Sequence, residues 1–501
     1  MKTPALVAAI ALPLVLAYPA ASWILGQEVE STISAHYKPI ESVPYLKIVE
    51  RNYQRGVFSA TEIVTFEVMG HVFRSGDDLR GASATGAQLA TAAPLRFTIR
   101  SQIHHGPLPG LTTFAAATAD SEISFDGTTG QELAKMLGDK KPLTAHTVYA
   151  FDGGGSSVVV SPAMTLSLPG GSGQFVSAGV TARVEFTKDQ QSITMTGDAP
   201  KLAIQSDKGV TVTMTGLKFD GSQKRIFDDE PLLHSGTQRL TLDQLSVVDA
   251  SGKGGPVQFD KLDYQVAIPI EGEFLDLVAK MGVDRVLIGD QNYGPVHYDF
   301  SLRHLHARAA AGLYRTFLKL YADPETMTLA ATEPARAFAT MKAPGLELLK
   351  YNPQVRIDRL SFRMPQGEAA VSVDALLRDP KAEDMANPMT LIAKLEASAE
   401  LAVPEALLGS LLAGQMRAAA PEGLPAQDIA TMQARMLEER LAALADQGFI
   451  TRTEGVAKTK LEFRGSQLSV NGKPFNPMLL RAPPPAAPVP EKQARASVRR
   501  R

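Results

Sequence analysis

From about residue 95 to residue 270 apolar side chains recur at every second position, and this period constrains the fold more than anything else in the chain. Leu95, Phe97 and Ile99 alternate with Arg96, Thr98 and Arg100, which reads as a strand with one face buried and one face wet. Ile193 and Met195 alternate with Thr194 and Thr196, and Val210, Val212 and Met214 with Thr211, Thr213 and Thr215. After Gly216 the apolar phase slips to Leu217 and Phe219, as a bulge or bend produces. Turns rich in Gly and Asp separate the runs, at residues 153–155, 170–173, 207–209 and 220–221. Strand, turn, strand at this short spacing predicts antiparallel pairing and not βαβ units. The expectation is a large meander with one side wet or facing a partner.

The second half mixes types. Residues 303–322 can form an amphipathic helix burying Leu305, Leu313, Phe317, Leu318 and Leu320. Strand character returns at 355–362, 370–376 and 391–403. Two Ala/Leu-rich helices follow near 404–419 and 425–447, with Gly448 as a C-cap. Residues 460–471 close with a hairpin in which Leu461/Phe463 and Leu468/Val470 flank Arg464-Gly465-Ser466. The fold class expected is α+β, mostly antiparallel β in one large meander sheet. Its helices lie in the C-terminal half, and one transmembrane helix precedes it.

That last element comes from residues 4–25, PALVAAIALPLVLAYPAASWIL, which carry no charge. A helix of this length spans roughly 30 Å, about the hydrocarbon thickness of a bilayer. It is longer than the usual apolar core of a secretory signal, and Ala20-Ala21-Ser22 is a mediocre cleavage site. Trp23 suits an interfacial anchor. A retained anchor is therefore favoured over a cleaved signal. Lys2 precedes the run and no Lys or Arg follows until Lys38, so the positive-inside rule puts the N-terminus in the cytoplasm and the bulk outside it. Zero cysteines exclude disulfides, thiol catalysis and Cys-based metal sites. A disulfide-free exported domain of this size fits a bacterial periplasm, behind the inner membrane. The expected organisation is an anchor at 1–25, a β-rich region at 26–300, an α+β region at 301–480 and a tail at 481–501. The tail is Pro-rich and then basic, with Lys492, Arg495, Arg499, Arg500 and Arg501 against Glu491. It reads as disordered, either solubilising or drawn to anionic headgroups. A net charge of −2 implies no nucleic-acid partner.

Chemistry is hard to find. His104 and His105 are adjacent, so on a strand they point to opposite sides. His304 and His306 could share a face, but no Glu-x-x-His partner is near. The glycine runs lack the spacing of a phosphate cradle, and Ser172 lacks that of a nucleophile elbow. Asp228-Asp229-Glu230 reads as a solvated loop more readily than a cation site. No catalytic, cofactor or metal residue is assigned.

Four segments, Asn52-Tyr53-Gln54-Arg55-Gly56-Val57-Phe58-Ser59, His105-Gly106-Pro107-Leu108-Pro109, Leu377-Arg378-Asp379-Pro380 and Leu468-Ser469-Val470-Asn471-Gly472-Lys473-Pro474, together resemble the YdgA-like family of bacterial proteins. The likeness runs from the anchor to about residue 478 and leaves the basic tail outside. It implies an inner-membrane anchor with a periplasmic body, and brings no established activity and no catalytic residues. Tyr53, Arg55, Gly56, Phe58, His105, Gly106 and Pro107 carry its specific part and read as fold determinants. The preferred expectation is a non-enzymatic envelope protein whose β-rich surface binds lipid or an envelope partner. The rival is an envelope hydrolase or metal-dependent enzyme using the His and acidic clusters, which requires them to converge.

Overall fold

The computed structural model describes residues 3–69, 94–127, 134–138, 140–168, 171–250, 255–323, 325–326, 329–330, 333–381, 383–384, 387–411 and 426–475. The tail expected at 481–501 and residues 412–419 of one expected helix lie outside these. A 35-residue helix, α1 (Thr3–Tyr37), comes first. It leads to β1 (Leu46–Arg55), β2 (Ser59–Val68), β3 (Leu95–His105), β4 (Ala117–Phe125), β5 (Thr144–Tyr149) and β6 (Gly155–Ser161). Three short strands follow, β7 (Met164–Ser167), β8 (Gly173–Ser177) and β9 (Val180–Phe186). The long central strands are β10 (Ser192–Ser206), β11 (Val210–Arg225), β12 (His234–Asp249) and β13 (Val257–Ile268), then, past the two-residue β14 (Ile270–Glu271), β15 (Phe274–Ile288). β16 (Gln291–Tyr293) and β17 (Val296–His306) precede the helices α2 (Ala307–Ala322) and α3 (Lys342–Leu349). β18 (Gln354–Met364), β19 (Gly367–Leu377) and β20 (Leu395–Pro404) come next, then α4 (Ala426–Asp446). The described chain ends with β21 (Thr451–Thr453), β22 (Val456–Arg464), β23 (Gln467–Val470) and β24 (Lys473–Phe475).

Every strand pairing is antiparallel, and neighbours in space are nearly always neighbours in sequence. β1 to β6 pair in order, β6 passes to β9, and the β7–β8 hairpin adds to the far half of β10. From β10 the ladder continues through β11, β12, β13, β15, β17, β18, β19, β20, β22, β23 and β24. With strands about 4.8 Å apart, this path measures roughly 85 Å. The sheet passes residue 300 inside β17, which pairs with β15 on one side and β18 on the other.

Directly paired residues share a side of a sheet, so the register tracks the apolar positions from strand to strand. One such row reads Phe219, Leu240, Tyr264, Met281, Tyr298, Leu360, Val371, Leu401. The other side carries ion pairs, among them Arg239–Asp263 at 2.7 Å, Arg359–Glu368 at 2.7 Å and Arg378–Glu396 at 2.8 Å. The phase slip expected at Gly216 has its cause in the backbone. The pairing skips Gly216, Asp243, Lys261 and Asp284 in three successive ladders, and Gly216 and Lys261 have φ of +66° and +54°. One extra residue in each strand shifts the alternation without losing register. Val283 and Val286 are both buried while Asp284 and Arg285 between them are exposed. Tyr293, paired with Val286, stacks on Phe362 at 5.7 Å, which lies on the same side as Val283 through Val296. The apolar positions therefore stay on one side of the sheet across the slip.

Two expectations shift. The helix expected from residue 303 starts at Ala307, because β17 runs on to His306, whose ring Nδ1 accepts the Ala309 amide as an N-cap. The strand expected at 391–403 starts at Leu395. Before it, Asn387 caps a one-turn helix (Pro388–Ala393), accepting the Met389 amide at 3.0 Å. The helix expected at 425–447 and the closing hairpin appear within a residue or a few of their predicted ends, with Gly448 at φ +79°.

Candidate functional site

Residues 4–25 were expected to be a separate membrane segment. The helix does not stop there: α1 continues to Tyr37, and from Tyr18 onward it packs over β2, β3 and β4 on the apolar side. Tyr18 stacks on Phe58 in the turn just before β2, and Tyr37 meets Phe66 near the far end of that strand. Val29 and Ile33, one helical turn apart, are buried against Ala60, Ile103, Ala117 and Ala119. Among the described residues no helix is long and apolar enough to cross a membrane.

The residues that carried the family resemblance gather around this helix. His105 is buried, and its Nδ1 lies 2.9 Å from the Ser22 carbonyl oxygen, so Nδ1 carries the proton. Burial pushes the imidazole below its ordinary pKa, and the Ser22 bond opposes that shift. His104 points away and is exposed. A Cβ on Gly26 would stand 2.7 Å from the His105 ring, and one on Gly106, at φ +131°, 2.4 Å from Ser22 Oγ. Both glycines are there so that helix and strand can touch. The Arg55 guanidinium covers the Trp23 ring at 4.2 Å and reaches Glu30 at 3.5 Å. Gly56 donates to the Ser59 carbonyl across the β1–β2 turn, and the His105 amide donates to Phe58. Tyr53 packs into the same core, and burial pushes its hydroxyl up to about 12. Pro107 opens the β3–β4 loop. Glu62 is buried beneath, accepting from Arg51 Nε at 2.8 Å and the Tyr37 hydroxyl at 3.1 Å. Sequence reasoning missed Ser22, Gly26, Tyr37 and Glu62, whose partners are 11 to 83 residues away.

The other candidates do not converge. His304 stacks on Phe274 at 4.0 Å, with Nδ1 against the Tyr351 carbonyl, and His306 stacks on Tyr351 at 4.2 Å. This aromatic cluster is distinct from the His105 junction. Asp229 pairs with Arg308, Glu230 with Arg315, and Asp228 accepts from Gln191. The acidic loop thus anchors α2 to the sheet. Among the described residues no three His, Asp or Glu side chains are grouped to hold a metal.

What remains is the apolar side itself. α2 lies over it, with Leu318 and Ala311 buried and Tyr321 meeting Tyr45 edge-on at 5.8 Å. Beneath α2 is a cavity of about 430 Å³ whose lining combines apolar residues such as Val266, Leu275 and Leu305 with the polar Gln223, His234 and Gln238. Further along, from β10 to β22, nine large apolar residues on this side are 37–50% exposed, including Tyr264, Tyr298, Leu360, Phe362 and Leu401. Each gives up roughly 1 kcal/mol of unrealised burial, on the order of 10 kcal/mol together. Such a patch marks a surface built to be covered.

The model for bacterial proteins of unknown function DUF945 matches residues 1–478. Protein YdgA of Escherichia coli (strain K12) is 22% identical over 500 residues, covering 90% of both chains. No solved structure shows a significant match. The chain therefore belongs to the DUF945, or YdgA-like, family of bacterial proteins.

Proposed function

We propose that this is a non-enzymatic binding protein of the bacterial envelope, which holds the apolar part of a lipid along the apolar side of its sheet. The uncharged stretch of α1, residues 4–25, ties it to the inner membrane with its bulk in the periplasm. The observation that carries the reading is the apolar side itself, on which nine large apolar residues from β10 to β22 are 37–50% exposed. A catalytic reading gains nothing from the histidines, which serve separate aromatic and helix-docking clusters. Ion pairs crowd the opposite side, so water and ligand have distinct sides to occupy. Native mass spectrometry of the full-length protein taken from its membrane in mild detergent tests this. Lipid-sized adducts are expected on the wild type and should fall in Leu360→Arg/Leu401→Arg. Wild-type protein free of any adduct contradicts the proposal.

A further inference from the structure

We infer that the end of the sheet where α1 enters is a seat on the bilayer surface. The inference rests on the membrane tie proposed for α1 but not on the proposed ligand. Beside the β9–β10 turn, whose Lys188 lies against Gly153, three turns meet at this end: β1–β2, β3–β4 and β5–β6. They expose Phe58, Leu111, Phe114 and Phe151, and α1 adds Trp23 and Ile24 beside them. Leu111 and Phe114 are 80% and 78% exposed, the most exposed large apolar residues described. Residues 56–59 and 106–116 contain no charged side chain, and the single acid of the third turn, Asp152, is occupied in accepting the Gly154 amide.

The turns are held in this arrangement. Phe114 packs on Phe151 at 4.9 Å, Pro109 is fully buried, and the Tyr18 hydroxyl donates to the Leu108 carbonyl at 2.8 Å. Leu111 has a φ of +61°, a left-handed conformation that is costly for a leucine. The fold thus accepts strain to hold a leucine out into solvent. A lipid surface is the occupant that fits, because the turns border the point where the helix leaves the sheet. N-terminal to Tyr18, α1 continues for residues 3–17, about 22 Å of uncharged helix. That is shorter than a bilayer's hydrocarbon. Apolar turns sunk into the headgroup layer bring the membrane up to the level of Trp23 and make up the difference.

The chain has one tryptophan, Trp23, and no cysteine, so both reporters can be unique. Full-length Leu111→Cys, labelled with NBD, is reconstituted into phosphatidylethanolamine/phosphatidylglycerol vesicles beside Arg239→Cys, labelled on the ion-paired side. The seat predicts blue-shifted NBD emission at 111, shielded from aqueous iodide, with the label at 239 fully quenched. Trp23 should be quenched by brominated acyl chains in the same vesicles. If Trp23 is quenched while the label at 111 stays open to iodide, the helix is in the membrane and the seat is wrong. If neither responds to lipid, the membrane tie fails and takes the seat with it. Shielding at 111 only when another protein is added assigns the surface to that partner and also overturns the seat.

Discussion

The two ends of the sheet are built from the same antiparallel ladder with the same side apolar, yet they finish differently. Around β2, β3 and β4 the apolar side is filled by α1, and Ile103 and Ala117 are 0% exposed. From β17 to β22 the equivalent positions, Tyr298, Leu360 and Leu401, remain 39–40% exposed. The filled end also buries polar groups that fix the helix in one position, chiefly Glu62 and His105. At the open end no buried histidine or carboxylate lies on the apolar side among the described residues. Alternation alone makes a sheet, then; a covered sheet needs a second element with matching shape. Where a described element supplies that shape the sheet has a core, and where none of the described elements does it presents a surface.

The contrast can be broken by substitution. Ile103→Ala should cost about 3 kcal/mol in urea unfolding, because the site is fully enclosed and a cavity remains. Gly26→Leu should cost about 1–3 kcal/mol by wedging α1 off the His105 ring, and should expose that imidazole to solvent exchange. A smaller effect comes from pH. His105 and His36 are both held below their ordinary pKa by burial. The unfolded chain therefore takes up protons first as pH falls, and stability drops below about pH 6.5 until the folded imidazoles also titrate. His105→Gln should flatten that part of the stability–pH curve. Leu401→Ala should have the smallest effect on stability, about 1 kcal/mol or less, since so much of the side chain is already in water. A cost at Leu401 as large as that at Ile103 would mean the open end is covered in the resting protein.

The sheet was legible in the sequence because period two survives in each strand separately. Gly216 announced the phase slip, since a residue tolerant of positive φ stands where the apolar parity changes. Gly448 and the Arg464-Gly465-Ser466 turn were legible for the same local reason. The course of α1 was not. Its first half is so uniformly apolar that it hides the sparser signal of Val29 and Ile33, four residues apart on the face that docks. The His105 junction was beyond reach because Ser22 and Gly26 have no local pattern linking them to a strand 80 residues on. Cross-strand register was equally invisible: only the pairings place Tyr298, Leu360 and Leu401 in one row.

The central claim is that the apolar side of β10 to β22 holds lipid. Site-specific photocrosslinking in intact cells tests it most directly, with the photoreactive residue at Leu360 or Tyr298 on one side and at Ser372 or Glu400 on the other. The account predicts lipid adducts from Leu360 and Tyr298 and none from Ser372 or Glu400. Equal lipid labelling from both sides, or only protein adducts from the apolar side, would contradict it.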